Sequence, residues 1–138
     1  MTSQTSRQIF VNLPVRDLQK SIDFFTGLGF EFNPQFTDDK ATCMVIGNGS
    51  YVMLLVEDFF RSFTTKDVCN TMTHTESILA ISAESRESVD DLVNQALAAG
   101  GRPSSDPIDD GPMYGWSFQD LDGHLWEVIH MDPAALAS

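Results

Sequence analysis

The sequence predicts an α+β protein built from two tandem βαβββ modules, whose curved mixed sheets form the wall of a cup with the helices outside. Three observations lead there. Apolar periodicity switches from two to about 3.6 residues twice along the chain; each helical stretch stops at a pair of nearby glycines; and each stop is followed by short strand-like runs separated by turn residues.

The first module spans about residues 8–57. In QIFVNLPV, Val11, Leu13 and Val15 share one face and Phe10, Asn12 and Pro14 the other, so the run reads as a strand that frays at Pro14. Asp17 stands at an N-cap position, Leu18, Ile22 and Phe25 mark one helical face, and Gly27 and Gly29 supply the stop. FEFNPQF, ATCMVIG and YVMLLVE follow as strands, divided by turns around Asp38 and Asp39 and at Asn48 and Gly49. A poorly patterned linker occupies about 58–76.

The second module repeats the order over about 77–131. SILAISA alternates as a strand. Ser85 can cap a helix whose Val89, Leu92, Val93, Ala96 and Leu97 form an apolar stripe before Gly100 and Gly101. GRPSS, MYGWSFQ and HLWEVIH are the remaining strands, the last two joined by a turn over Asp120 to Gly123, while the acidic DPIDDGPMYG reads as a solvated loop. A helix covering one sheet face leaves the other face free to curl around a ligand.

Bulk properties restrict the partners. The 138 residues, 42% apolar, suffice for one compact domain. Eight Lys and Arg against 20 Asp and Glu give a formal charge of −12, which repels nucleic acid and anionic membrane surfaces. No run approaches the roughly 18 apolar residues of a membrane span, and MTSQTSRQIF lacks a signal-peptide core, so a cytoplasmic location is expected. Cys43 and Cys69 form no CxxC pair and read as ordinary thiols of a reducing compartment.

The tandem order, the opening FVNLPVRDLQKSIDFFTGLGF and the closing DLDGHLWEVIHMD resemble the vicinal oxygen chelate superfamily, which includes glyoxalase I, bleomycin-resistance proteins and ring-cleaving dioxygenases. The resemblance covers nearly the whole chain and specifies fold better than activity. It implies two modules around a U-shaped cup and, in enzymatic members, a divalent metal held by side chains of equivalent strands. Carried over residue by residue, the first ligand position is Phe10. The second falls at Met53, Leu54 or Leu55 depending on register, and the third at Ile78, or Ser77 after a slip of one, with His74 upstream in the connecting loop. The fourth is Glu127, the one metal-ligating side chain kept of four. The usual metal site is therefore incomplete, since a catalytic transition metal ordinarily needs three protein ligands.

Two readings of Glu127 stand side by side. With Leu125 and Ile129 it can face into the cup and there shuttle a proton or anchor a substrate amine or hydroxyl, or it can accept structural hydrogen bonds or lie at a dimer seam. Asn12, on the face of Phe10, can orient a ligand or simply end its strand. His130 lies three residues from Glu127 and so on the opposite face, while His124 is placed near the rim. Tyr114, Trp116 and Phe118 alternate on one face and can wall a planar ligand or pack internally. Phe59, Phe60 and Phe63 in DFFRSF fit a lid over the cup or a dimer contact.

Phe10, Asn12, Phe59, Ile78 and Trp116 are thus the candidate ligand-binding residues, with Glu127 the candidate catalytic residue and retained metal position. The function expected is small-molecule binding of the bleomycin-resistance kind, as a homodimer whose partner surface covers open sheet edges. The alternative is a metal-assisted glyoxalase-like lyase or dioxygenase acting on a small carbonyl or aromatic compound.

Overall fold

The structure, a computed structural model, describes residues 6–136. The α+β class holds: the chain forms two mixed sheets carried by two compact units that meet in sequence at Val68 and Cys69. Among the described residues no helix is long and apolar enough to cross a membrane.

In the first unit β1 (Ile9–Val15) leads into α1 (Leu18–Gly27), then β2 (Glu31–Phe32), β3 (Ala41–Gly47), β4 (Ser50–Val56) and a short α2 (Glu57–Arg61). The sheet order is β1-β4-β3-β2. The helical crossover makes β1 and β4 parallel, while the turn at Gly49, with φ of 80°, makes β3 and β4 an antiparallel hairpin. The register sets Val11 beside Val52 and Leu13 beside Leu54, and Thr42 and Met44 continue that face. Leu13, Met44, Leu54 and, from α1, Phe24 and Phe25 are buried. Burying one such side chain stabilises by about 1.5–3 kcal/mol. The Asp17 carboxylate caps α1 by accepting from the Lys20 backbone N–H at 3.1 Å.

FEFNPQF departs from the strand expected of it. Only Glu31 and Phe32 pair with β3, because Pro34 has no N–H for a ladder and the Asn33 side chain accepts from the Gln35 N–H, turning Pro34–Phe36 into a 3₁₀ turn.

In the second unit β5 (Ile78–Ser82) precedes α3 (Arg86–Ala98), β6 (Arg102–Pro103), β7 (Ile108–Asp110), β8 (Met113–Gln119), β9 (Leu125–Met131) and α4 (Pro133–Leu136). β5 is parallel to β9, β9 antiparallel to β8, and both β6 and β7 pair with β8. Ser85 caps α3, and Val89, Val93 and Ala96 are its buried stripe. Two expectations are corrected. GRPSS forms only a two-residue strand, since Pro103 cannot donate. The acidic loop instead contains β7, which turns back through Gly111 (φ 77°) to pair with β8. Its charge is tied down: Asp109 accepts from Arg86 Nη1 at 2.7 Å and Nη2 at 2.9 Å, and Arg86 also lies over the Tyr114 ring.

Gly101 is required where α3 hands over to β6. A Cβ there would sit 2.8 Å from the backbone oxygens of both Ala96 and Gln119.

Candidate functional site

The turn that introduces β9 is organised around one buried carboxylate. Asp120, 3% exposed, accepts from the Asp122 and His124 N–H groups at 2.9 Å through Oδ1, and from the Trp126 indole N–H at 3.0 Å through Oδ2. Burial pushes its carboxyl above the usual range, opposed by His124, by the Trp126 hydrogen bond and by the two backbone donors. Gly123 (φ 82°) closes the turn against Thr71, whose hydroxyl donates to the Asp122 carbonyl. His124 is not at a rim. It is 3% exposed with Nδ1 2.5 Å from Glu76 Oε1, because the turn folds its ring inward toward the segment before β5.

This turn fixes which way β9 faces. Trp126 and Val128 point to the side packed by α3, with Phe118 and Trp116 opposite them in register. Glu127 therefore points to the other face, beside Ser117 of β8 and Ala80 of β5. It lines a small concavity of about 40 Å³ with Ser105, Asp106, Ser117 and Ile129. Ser117 is already engaged, its hydroxyl accepting from the Ser105 N–H at 3.0 Å. Ile78 lies on the Glu127 face, beside Leu125, and is 56% exposed. His130 lies on the opposite face, its Nδ1 3.1 Å from the Ala83 carbonyl oxygen.

Trp116 belongs to the α3 side by register, although it also borders the small concavity. Of its aromatic neighbours, Tyr114 donates to Asp90 of α3 at 2.6 Å and Phe118 stacks on Trp126. That trio is largely occupied in packing. Phe59 sits on α2 and meets Phe63 edge to face at 5.1 Å; it borders neither of the two concavities described here.

The larger concavity, about 470 Å³, lies on the first unit's sheet face away from α1. Phe10, Asn12, Tyr51 and Met53 project into it from the paired β1 and β4, with Cys43 of β3 beside Met53. Phe10, 50% exposed, stacks on Tyr51 with ring centroids 5.0 Å apart and planes 14° from parallel. Asn33 and Phe36 of the 3₁₀ turn and Gln8 border the same space. Burial pushes the Cys43 thiol up, so it remains protonated at neutral pH.

Phe10 and Asn12 were legible as a pair from strand parity; Tyr51, Asn33 and Phe36 were not singled out. The signal for Tyr51 was its parity with Met53 in YVMLLVE. The Asn33-Pro34 dipeptide, a turn signal, marked the wall that carries Phe36.

The ligand positions inherited from the resemblance do not suit a metal. Register puts Met53 and Leu55 on one sheet face and Leu54 on the other; of the three only Met53 borders the concavity, while Leu54 and Leu55 are both buried. Phe10, Met53 and Ile78 offer no oxygen or nitrogen donor, and the Met thioether is a poor partner for a hard or borderline cation. Among the described residues no three His, Cys, Asp or Glu side chains gather in a metal-binding arrangement.

Comparison with known proteins accords with this architecture. A family model described as the Glyoxalase/Bleomycin resistance protein/Dioxygenase superfamily matches residues 7–128. A solved hypothetical protein from S. aureus is 30% identical, with TM-score 0.78, the alignment covering 92% of this chain and 95% of that one. A glyoxalase/bleomycin resistance protein/dioxygenase family enzyme from Burkholderia phytofirmans PsJN is 16% identical, with TM-score 0.75 over 91% and 99%. The genomically encoded fosfomycin resistance protein FosX from Listeria monocytogenes is 21% identical, with TM-score 0.64 over 97% and 98%. The last two are likenesses of fold alone. No curated protein matches the chain.

Proposed function

Because the chain belongs to the glyoxalase/bleomycin resistance protein/dioxygenase superfamily, we propose that it is a small-molecule binding protein of the bleomycin-resistance kind, holding its ligand by apolar contact and hydrogen bonding rather than through a metal. The observation that supports this is the concavity of about 470 Å³ floored by Phe10, Tyr51 and Met53. Its volume falls in the range of about 300–1,000 Å³ typical of ligand sites, and aromatic side chains beside a few amides are the usual lining of such sites. Two positions at which the resemblance implies metal ligands in enzymatic members, Phe10 and Met53, contribute apolar surface to it instead. Phe10 and Asn12 are the ligand-contacting residues of this reading; Phe59, Ile78 and Trp116, expected from the sequence to join them, do not line this concavity.

Glu127 favours a second reading. Its carboxylate faces the open side of β9, and no hydrogen bond or ion pair engages it among the described residues. A free carboxylate can act as acid or base in a lyase or dioxygenase of this superfamily.

Metal analysis of protein purified without chelators, together with thermal shift in a divalent-cation series, separates the two. Substoichiometric metal and no cation-dependent shift support binding without a metal; stoichiometric metal with a rise of several degrees overturns it. A Glu127→Gln variant that keeps full turnover on an identified substrate would remove acid or base catalysis by that residue. We further propose a homodimer in the cytoplasm, testable by light scattering on the purified chain.

A further inference from the structure

On the binding reading above, the larger concavity restricts the shape and charge of what it admits, and Tyr51 holds the central place in it. Phe10 of β1 stacks on one face of the Tyr51 ring, with centroids 5.0 Å apart and planes 14° from parallel; because β4 lies between β1 and β3, the other face looks toward β3. Met53 and Cys43, partners across β4 and β3, form the floor on that side. Beyond β3, the 3₁₀ turn that follows β2 carries Phe36, 60% exposed, and is tied to the floor by the Asn33 N–H, which donates to the Cys43 carbonyl at 2.9 Å. Strands two apart stand about 10 Å from each other, which admits one flat ring with a van der Waals contact of about 3.5–4.0 Å on each face.

The lining carries no charge. Its polar groups are the amides of Gln8, Asn12 and Asn33, the Tyr51 hydroxyl and the Cys43 thiol, which burial keeps protonated. Glu31 reaches the same sheet face through its pairing with Val45, opposite Tyr51, but it is exposed and does not line the concavity. An anion would meet no cation there and would enter against a net charge of −12. A ring face attracts a cation, yet rings without a lining carboxylate do not replace the water that an ammonium gives up. We propose that this slot takes an uncharged aromatic molecule lying flat against the free face of Tyr51, so that Tyr51 sets a preference for planarity, with Phe10 backing its ring and Phe36 meeting the ligand from the opposite wall.

Four probes of similar size test this by calorimetry on the full chain with EDTA present: 2-naphthamide, 2-naphthoate, 2-naphthylmethylammonium and decahydronaphthalene-2-carboxamide, which is neutral but not flat. The naphthamide should bind about tenfold or more tighter than either ion, since a buried charge without a partner costs at least that factor. It should bind about two- to tenfold tighter than the decahydro amide, the margin that aromatic stacking adds to buried apolar area. Tyr51→Leu keeps apolar bulk and removes the ring, so it should bring the two amides to equal affinity, whereas Tyr51→Phe should keep the preference; a general loss of fold would weaken both amides and leave their ratio unchanged. Naphthamide at about ten times its Kd should also slow the modification of Cys43 by methyl methanethiosulfonate about tenfold, and leave Cys69, in the other compact unit, unaffected. An ion that binds as tightly as the naphthamide, a decahydro amide that equals it in the unaltered protein, a Tyr51→Leu variant that still prefers the flat amide, or binding that leaves Cys43 unshielded overturns the inference without touching the binding reading. Absence of binding by all four also overturns it, while the binding reading is decided separately by the metal analysis described above.

Discussion

Removing the Asp120 carboxylate should cost a large share of this protein's stability, and the structure indicates how much. Three N–H donors converge on it, from Asp122, His124 and the Trp126 ring, in a turn where Asp120 is 3% exposed. Asp120→Ala leaves all three without their acceptor. An orphaned buried donor costs about 1–3 kcal/mol; the vacated space lies in a turn where water can recover part of that, so we expect a loss of about 3–5 kcal/mol. Asp120→Asn can still accept the two backbone N–H groups through one oxygen but turns an NH₂ toward the indole N–H, so about 1–3 kcal/mol is expected. Against a typical domain stability of about 5–15 kcal/mol, the alanine variant approaches the limit of folding. Urea unfolding followed by far-UV circular dichroism and by tryptophan fluorescence measures both. A cost below about 1 kcal/mol for alanine, or an asparagine variant as damaged as the alanine one, would refute the view that this carboxylate holds the turn through its three donors.

Gly101→Ala should destabilise by about 1–3 kcal/mol or more, because the new methyl meets two backbone carbonyls that cannot swing away, whereas Gly27→Ala, with open space around it, should be neutral or add up to about 1 kcal/mol; urea midpoints compare the pair. Iodoacetamide at pH 8 should alkylate Cys69, which is partly exposed, well before the buried Cys43 with its raised thiol, and mass spectrometry of the digested protein gives the order. The Arg86 guanidinium holds the Asp109 carboxyl below its usual value. Since the folded value is the lower one, the attraction is present above the ordinary carboxylate range of about 4 and is lost as pH falls through the depressed value. In Arg86→Gln the Asp109 titration followed by NMR should return toward that ordinary range.

Much of the first site was legible because the pleat writes it into the sequence with period two. Phe10 and Asn12 alternate with Val11 and Leu13, so one parity had to face α1 and the other had to face away. The caps at Asp17 and Ser85 were readable for a similar reason: each is a local hydrogen bond between residues three apart. What escaped was set by contacts distant in sequence. His124 looked like a rim residue from its place after the turn glycine, but it is buried with Glu76 against its ring, while Thr71 from the same segment closes on the neighbouring Asp122. β7 was hidden by its own composition, since acidic residues seldom advertise a strand; the Arg86 side chain, more than 20 positions upstream, pairs with one of its two carboxylates, Asp109. The fall of FEFNPQF into a 3₁₀ turn was signalled by Pro34, but that Phe36 then borders a concavity depends on where β3 lies.

The same alternation separates two kinds of tolerance to mutation. Along β1 and β4, Leu13 and Leu54 secure the fold, while their immediate neighbours Asn12 and Met53 line the concavity and face away from α1. On the binding reading proposed above, replacements at the second set would change which molecule is admitted without spending the margin that keeps the chain folded, so selectivity would drift one residue away from positions that hardly move.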